Sequence, residues 1–366
     1  MCRWTRSQSA GKLSESSRRY VRTVLRASAL FAVWLSVFLP AYGSSRTSND
    51  VVYMKNGDKI TCEIQSLTQG QLSVKSDYSS SSFVLDWSKV DHVESKQQFV
   101  ITNPEGQVYS GSLSGKRDAL VVNAETSITL TPEKVIEIDE LGTTFLKRMR
   151  GDADLGMSFA RSNAQKNLTL QTDLGYQSTR YVFALSTMSQ FSSQEKTNDT
   201  NETTVKTQLF KQLRKSNWYA GGLANFLSSS EQQIDLRSTL GAAFARRQIF
   251  TNRTNLNFVG GLAFTNEKDA ENSTAVSRTN ALDGAFAVQY STFRFDSTTF
   301  NTSYWVYPSI TSAGRVRFTL NQDVYYKFLK DFYIRMSFYD NYDNRPIVGT
   351  PSNNLGASTT VGWSFH

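Results

Sequence analysis

Beyond Gly151 the chain is built from segments of about ten residues in which apolar side chains alternate with polar or small ones. This pattern limits the fold more than any other feature. In one segment Leu168, Leu170, Thr172, Leu174 and Tyr176 interleave with Thr169, Gln171, Asp173, Gly175 and Gln177. Successive side chains of a strand point to opposite faces, so one face is greasy and the other wet. The alternation recurs through Leu256–Phe264, Leu282–Tyr290, Phe332–Phe338 and Leu355–Phe365. Twelve such segments start near Asp152, Gln165, Thr179, Thr203, Trp218, Ile234, Thr254, Arg278, Thr298, Gly314, Phe332 and Asn354.

Soluble sandwiches also alternate, so the connections decide. Long polar loops (Ser192 to Glu202, Asn266 to Ser277, Asn341 to Asn353) take turns with short ones, several of them basic: near Arg180, Arg214-Lys215, Arg294 and Lys330-Asp331. That is the rhythm of a membrane barrel with long loops outside and tight turns in the periplasm. An unpaired sheet edge has no water to bond in hydrocarbon, so such a sheet must close on itself. Tyr176, Tyr181, Tyr290, Tyr339, Trp363 and Phe365 fall near segment ends, where amphipathic rings favour lipid headgroups, although Tyr339 lies on the inward register. The fold class expected is all-β, with a C-terminal antiparallel transmembrane β-barrel of about 12 strands over residues 152–366.

The first 43 residues read as a cleaved secretory signal peptide. Arg3, Arg6, Lys12, Arg18, Arg19, Arg22 and Arg26 precede an apolar run from Ala27 to Leu39, and Ala41-Tyr42-Gly43 supplies a cleavage point. The run is too short to span a bilayer as a helix. This stretch carries most of the formal charge of +8 and leaves 33 bases against 31 acids elsewhere, so nucleic acid is not expected as a partner. Cleavage would remove Cys2 and leave Cys62 with no partner for an internal disulfide.

Residues 44–140 read as a small periplasmic β domain with turns at Asn56-Gly57-Asp58 and Pro104-Glu105-Gly106. The domain looks duplicated, with units at about 51–95 and 99–140. Gly57, Ile60 and Ile64 are answered by Gly106, Tyr109 and Leu113, and Lys89-Val90 by Lys134-Val135. Residues 141–151 form a linker with Lys147, Arg148 and Arg150 close together.

The order of these parts, and the final strand Leu355 to Phe365, resembles the YdiY-like family of salt-induced outer-membrane proteins, a domain-of-unknown-function family. The resemblance implies an outer-membrane location and no established chemistry. The last strand is also similar to the signal read by the barrel-assembly machinery, except that the chain ends in His366.

Catalytic chemistry finds little support. A Ser/His or Asp/His hydrolase needs an imidazole base, and the only histidines are His92, expected at a surface or turn, and the terminal His366. No zinc-type ligand spacing, phosphate loop or dinucleotide fingerprint occurs, so no cofactor or metal is expected. Glu267, Asp269 and Glu271 are expected as solvated charge in an outer loop. The inward registers place Asp173, Lys206, Arg237, Asp283, Arg317, Asp323 and Arg335 in the lumen, where mixed signs would pair across it. The sequence thus predicts a non-enzymatic outer-membrane protein, either envelope-structural or a narrow small-solute pore with a periplasmic module. A surface or periplasmic binding protein recognising lipopolysaccharide, peptidoglycan or a protein partner stays open as the alternative. Expected partners are outer-membrane lipid and lipopolysaccharide, the assembly machinery during biogenesis, and a periplasmic partner of residues 44–140.

Overall fold

The computed structural model describes residues 49–365 except 80–81, 117–118, 124–126, 142–148, 161–164, 179, 194–198, 214–215, 271–277, 294–297, 330 and 348. The signal segment, Cys2, Lys147, Arg148, Arg214, Lys215, Glu271, Arg294, Lys330 and His366 lie outside the described residues, as does the side chain of Phe365.

Residues 50–140 form a nine-stranded antiparallel sheet. Its strands are β1 (Asp50–Met54), β2 (Lys59–Thr68), β3 (Gln71–Lys75), β4 (Phe83–Asp86), β5 (Val90–Thr102), β6 (Val108–Lys116), β7 (Ala119–Asn123), β8 (Ile128–Leu130) and β9 (Glu137–Glu140). They run in the order β4-β3-β2-β1-β5-β6-β7-β8, with β9 pairing to both β2 and β5. The arrangement of β1 to β5 recurs in β5 to β9. β1 pairs with the next strand and with β5, and the second half of β5 pairs with the next strand and with β9. Each half opens on a turn whose glycine adopts the left-handed conformation, Gly57 (φ +93°) and Gly106 (φ +76°), which L side chains rarely tolerate. Each half also carries one turn of 3-10 helix, Trp87–Lys89 and Pro132–Lys134, and the Trp87 indole Nε1 donates to the Pro132 carbonyl at 2.7 Å. The interval between the two expected units, residues 96–98, lies inside β5, where the register slips between Ser95 and Phe99.

Val52, Ile64, Leu67, Leu72, Val93, Phe99, Ile101, Leu113, Leu120 and Ile138 fill one continuous core between the halves. Each such side chain stabilises the fold by about 1.5–3 kcal/mol relative to exposure. Asp50 is buried there because the Ile64 amide (2.9 Å) and the Ser95 hydroxyl donate to its carboxylate. Burial beside Asp50 and Glu63 pushes the Cys62 thiol up to about 12, so it stays protonated and behaves as a small apolar side chain.

The second region is a closed ring of twelve antiparallel strands. They are β10 (Met149–Ala160), β11 (Gln165–Gln177), β12 (Tyr181–Ser193), β13 (Thr200–Gln212), β14 (Trp218–Ser229), β15 (Ile234–Phe250), β16 (Thr254–Asp269), β17 (Arg278–Phe293), β18 (Thr298–Pro308), β19 (Val316–Lys327), β20 (Phe332–Asp343) and β21 (Asn353–Phe365). Each pairs with its neighbours in the chain, and β21 closes onto β10 from Gly151↔Phe365 to Leu155↔Val361. The first strand starts at Met149, inside the expected linker. The expected loops are shorter too, because β13 begins at Thr200, β16 runs to Asp269 and β20 to Asp343.

The alternation in the sequence becomes an outside and an inside. On β16, Leu262 is 54% exposed while its neighbour Ala263 is 1% exposed. Leu240, Phe244, Phe264, Phe286, Met336 and Val361 share the outer face, forming an apolar belt far larger than a soluble monomer carries. Tyr181, Trp218, Tyr326, Phe332 and Trp363 stand on that face at the end where the short turns lie, and Tyr176 and Tyr290 share their outward register. Lys211 and Arg246 lie over the rings of Tyr181 and Trp218, at 5.9 and 5.3 Å. Tyr339 departs from this girdle. Its hydroxyl bonds Gln190 at 2.9 Å inside the ring, because β20 turns its odd-numbered residues inward.

Candidate functional site

The site is the lumen, and strand parity decides which side chains enter it. All seven charged residues expected there face inward and engage others, in two layers. Toward the short-turn end of the ring, the Arg335 guanidinium reaches Asp173 (2.6 Å), Asp323 (3.0 Å) and Asp154 (3.1 Å), tying β20 to β11, β19 and β10. Arg335 is buried, and three carboxylates together with the ring of Tyr325, 4.7 Å away, offset its lost hydration. Lys206 donates to Asn321 across the lumen at 3.3 Å.

The second layer lies toward the loop end. Arg237 binds Glu267 at 2.5 Å, Arg317 binds Asp283 at 2.5 Å, and Arg315 binds Asp343 at 2.6 Å and Glu267 at 3.2 Å. Arg317 also donates to Thr265 (2.8 Å). Three bases meet three acids here, so the layer is formally neutral. On β19 it stands six residues above Asp323, roughly 20 Å along the strand.

Sequence reasoning missed Asp154, Glu202, Glu267, Arg315 and Asp343. Glu267 and Asp269 are strand residues and not loop charge: β16 continues to Asp269, and Glu267 points inward onto Arg237 and Arg315. Among the described residues Glu202 accepts only from neutral donors, Asn354 (2.5 Å), Ser229 (3.1 Å) and Asn341 (3.5 Å). Continuing the period-two pattern to the ends of β13, β16 and β20 would have found three of them.

Between the layers lies a cavity of about 240 Å³. Ser186, Thr204, Asn225, Gln289, Ser303, Thr319 and Asn321 contribute neutral polar groups to it, and Trp305 and Tyr307 contribute rings. One wall was not anticipated. Gly261, Ala243, Ala263, Ala285 and Ala287 are small inward-facing residues on β15 to β17, and Trp305 and Tyr307 lie against them. A Cβ at Gly261 would fall 2.2 Å from the Ala242 carbonyl, so this stretch of wall admits no larger residue.

The short turns carry the N-terminal domain. Asn217 donates to the Pro104 carbonyl (2.8 Å), Gln212 to Gly106 (2.9 Å), Asn252 to Val135 (2.9 Å) and Arg150 to the Thr68 hydroxyl (2.6 Å). Gln177 donates to the Glu137 carboxylate. Burial holds that carboxyl above its ordinary range, against the opposing pull of Arg247, Arg150 and the Gln177 hydrogen bond. A carboxyl raised in the folded state binds its proton more tightly there than when unfolded. Its contribution is therefore present in acid and lost as pH rises through the elevated value. Proteolytic release of the N-terminal domain is expected to be slower at about pH 5 than at about pH 8, and Glu137→Gln should flatten that difference.

His92 is a strand residue and not a turn residue. It lies on β5, stacked on Tyr53 at 4.2 Å with Nδ1 2.7 Å from Asp91. No group of three or more ligands suited to a metal ion occurs among the described residues. No helix among them is long and apolar enough to cross a membrane, which says nothing about crossing by strands.

A closed antiparallel ring, apolar outside and polar within, defines a membrane-type β-barrel. A family profile described as "Protein of unknown function, DUF481" matches residues 153–365, more than half of the chain. The chain belongs to that family. No curated protein matches the sequence. Among solved structures the chain is similar to the NanC porin, at 12% identity over 60% of this chain and 99% of that one, TM-score 0.37. It is also similar to the COG4313 outer membrane channel from Pseudomonas putida F1, at 12% identity over 59% and 94%, TM-score 0.34. A third is the translocator domain of autotransporter NalP from Neisseria meningitidis, at 13% identity over 59% and 86%, TM-score 0.33.

Proposed function

We propose that this chain is a non-enzymatic outer-membrane barrel that passes small polar solutes through a narrow lumen, with the N-terminal β domain capping its periplasmic end. The observation that carries this reading is the polar cavity between two cross-lumen ion-pair layers. An outer-membrane location is supported by the apolar belt and its aromatic and basic girdle at one end. Both ends of the ring reach the face that carries the N-terminal domain, as an exported module on the periplasmic side requires. The YdiY-like resemblance belongs to this reading, since it rests on the same order of parts.

Around the Arg335 cluster Asp152, Asp154, Asp173 and Asp323 outnumber Arg335 and Lys206, and Glu202 adds an acid near the loop end, which favours cations over anions. Planar-bilayer recordings of the full mature chain should show small single-channel steps with a reversal potential shifted toward the cation. Steps should grow more frequent when Gln212 and Asn217 are both replaced by alanine, which loosens the cap. Silence in both proteins would sink the pore and leave an envelope-structural or binding role.

A further inference from the structure

We propose that the mid-lumen cavity is a binding site for a small neutral polyhydroxylated solute of about pyranose size. This rests on the solute-pore reading and names the class of solute.

The cavity has three features that such a solute uses together. The first is an aromatic face: the Trp305 and Tyr307 rings stack nearly parallel, 8° apart with centroids at 5.9 Å, on the strand that lines the cavity, and the Arg317 guanidinium lies 5.7 Å over Tyr307. The small residues Ala263 and Ala285 behind them leave room for the rings to lie flat. The C–H face of a sugar ring suits such a surface, because an aromatic face is weakly negative and apolar.

The second is a set of neutral donors and acceptors from different strands around that surface. Ser186, Thr204, Asn225, Gln289, Ser303 and Thr319 all line the cavity. Asn225 Oδ1 is buried with no hydrogen-bond partner among the described residues. An acceptor left so is costly unless a water or a ligand hydroxyl reaches it. Pockets of this kind combine an apolar floor with a few placed polar groups that fix orientation.

The third is a lysine without a counter-ion in contact. The four lumen arginines, Arg237, Arg315, Arg317 and Arg335, are each held by carboxylates. Lys206 alone meets only an amide oxygen, Asn321 Oδ1 at 3.3 Å, among the described residues, leaving ammonium hydrogens for a solute oxygen. Asp173, Asp323 and Glu202 also line the cavity and outnumber its two bases, Lys206 and Arg335, so the lining would repel a carboxylate or phosphate. With carboxylates and an ammonium both in the lining, hydroxyl groups, which both donate and accept, are the chemistry the walls match.

The test is saturation-transfer NMR on the full mature chain in detergent, with D-glucose and D-glucuronate as probes. Binding is read at equilibrium without a bilayer, so it stands or falls separately from conductance. Glucose should bind saturably, and glucuronate roughly tenfold more weakly. Trp305→Ala should weaken glucose binding roughly tenfold, and Ser186→Leu, which fills the cavity from another strand, should abolish it. Each variant is first required to migrate as the folded barrel when unboiled. No saturable glucose binding, tighter binding of glucuronate, or glucose binding unchanged in folded Ser186→Leu would each overturn the proposal.

Discussion

Replacing Arg335 with methionine should lower barrel stability by about 3–5 kcal/mol, because it strands Asp154, Asp173 and Asp323 in a buried site without their shared cation. The measurement is the guanidinium midpoint at which the unboiled band on a gel gives way to the unfolded one. Adding Asp154→Asn to the variant should recover part of the loss, since a neutral amide needs no counter-ion and can still accept from Thr360, now 3.2 Å from the carboxylate. Losing Lys206 instead should cost much less, because that ammonium holds only Asn321. Equal losses at the two positions would mean that Arg335 is not the hub of its layer.

Leu262→Arg probes the outer face. Leu262 sits at the centre of β16, on the outward register, so its arginine would meet hydrocarbon and cost about 2–4 kcal/mol. Leu236→Arg, near the loop end of β15, should cost about 0–1 kcal/mol, because the longer side chain can reach water there. Refolding yield into lipid vesicles ranks the two directly. If the central arginine proved as harmless as the peripheral one, the belt would not face lipid.

Much of this architecture can be read from residue order. The ring of twelve strands follows from the alternation, because each segment is long enough to display its two faces and the turns between segments are rich in Ser, Asn and Arg. The inward charges Asp173, Lys206, Arg237, Asp283, Arg317, Asp323 and Arg335 follow from the same parity. What escaped lies at the strand ends. Glu202, Glu267 and Asp343 sit in polar stretches that read as loops, since a strand projecting above the apolar belt no longer needs greasy residues on its outer side. The pairing partners escaped as well. Arg335 and Asp154 are 181 residues apart, and no local pattern says that β20 and β10 approach the same point in the lumen. In the N-terminal domain the two similar halves were legible as a drifting repeat, but their sharing of β5 was not, because a single strand can serve both halves only when its register breaks, here between Ser95 and Phe99.

The joint between β10 and β21 differs from the other eleven. Registered pairing there runs only from Gly151↔Phe365 to Leu155↔Val361, whereas β10 pairs with β11 along its whole length, from Met149↔Tyr176 to Ala160↔Gln165. A zipper fastened at one end parts first at the other. The seam between β10 and β21 is therefore held by the fewest registered pairs, and those lie at its short-turn end.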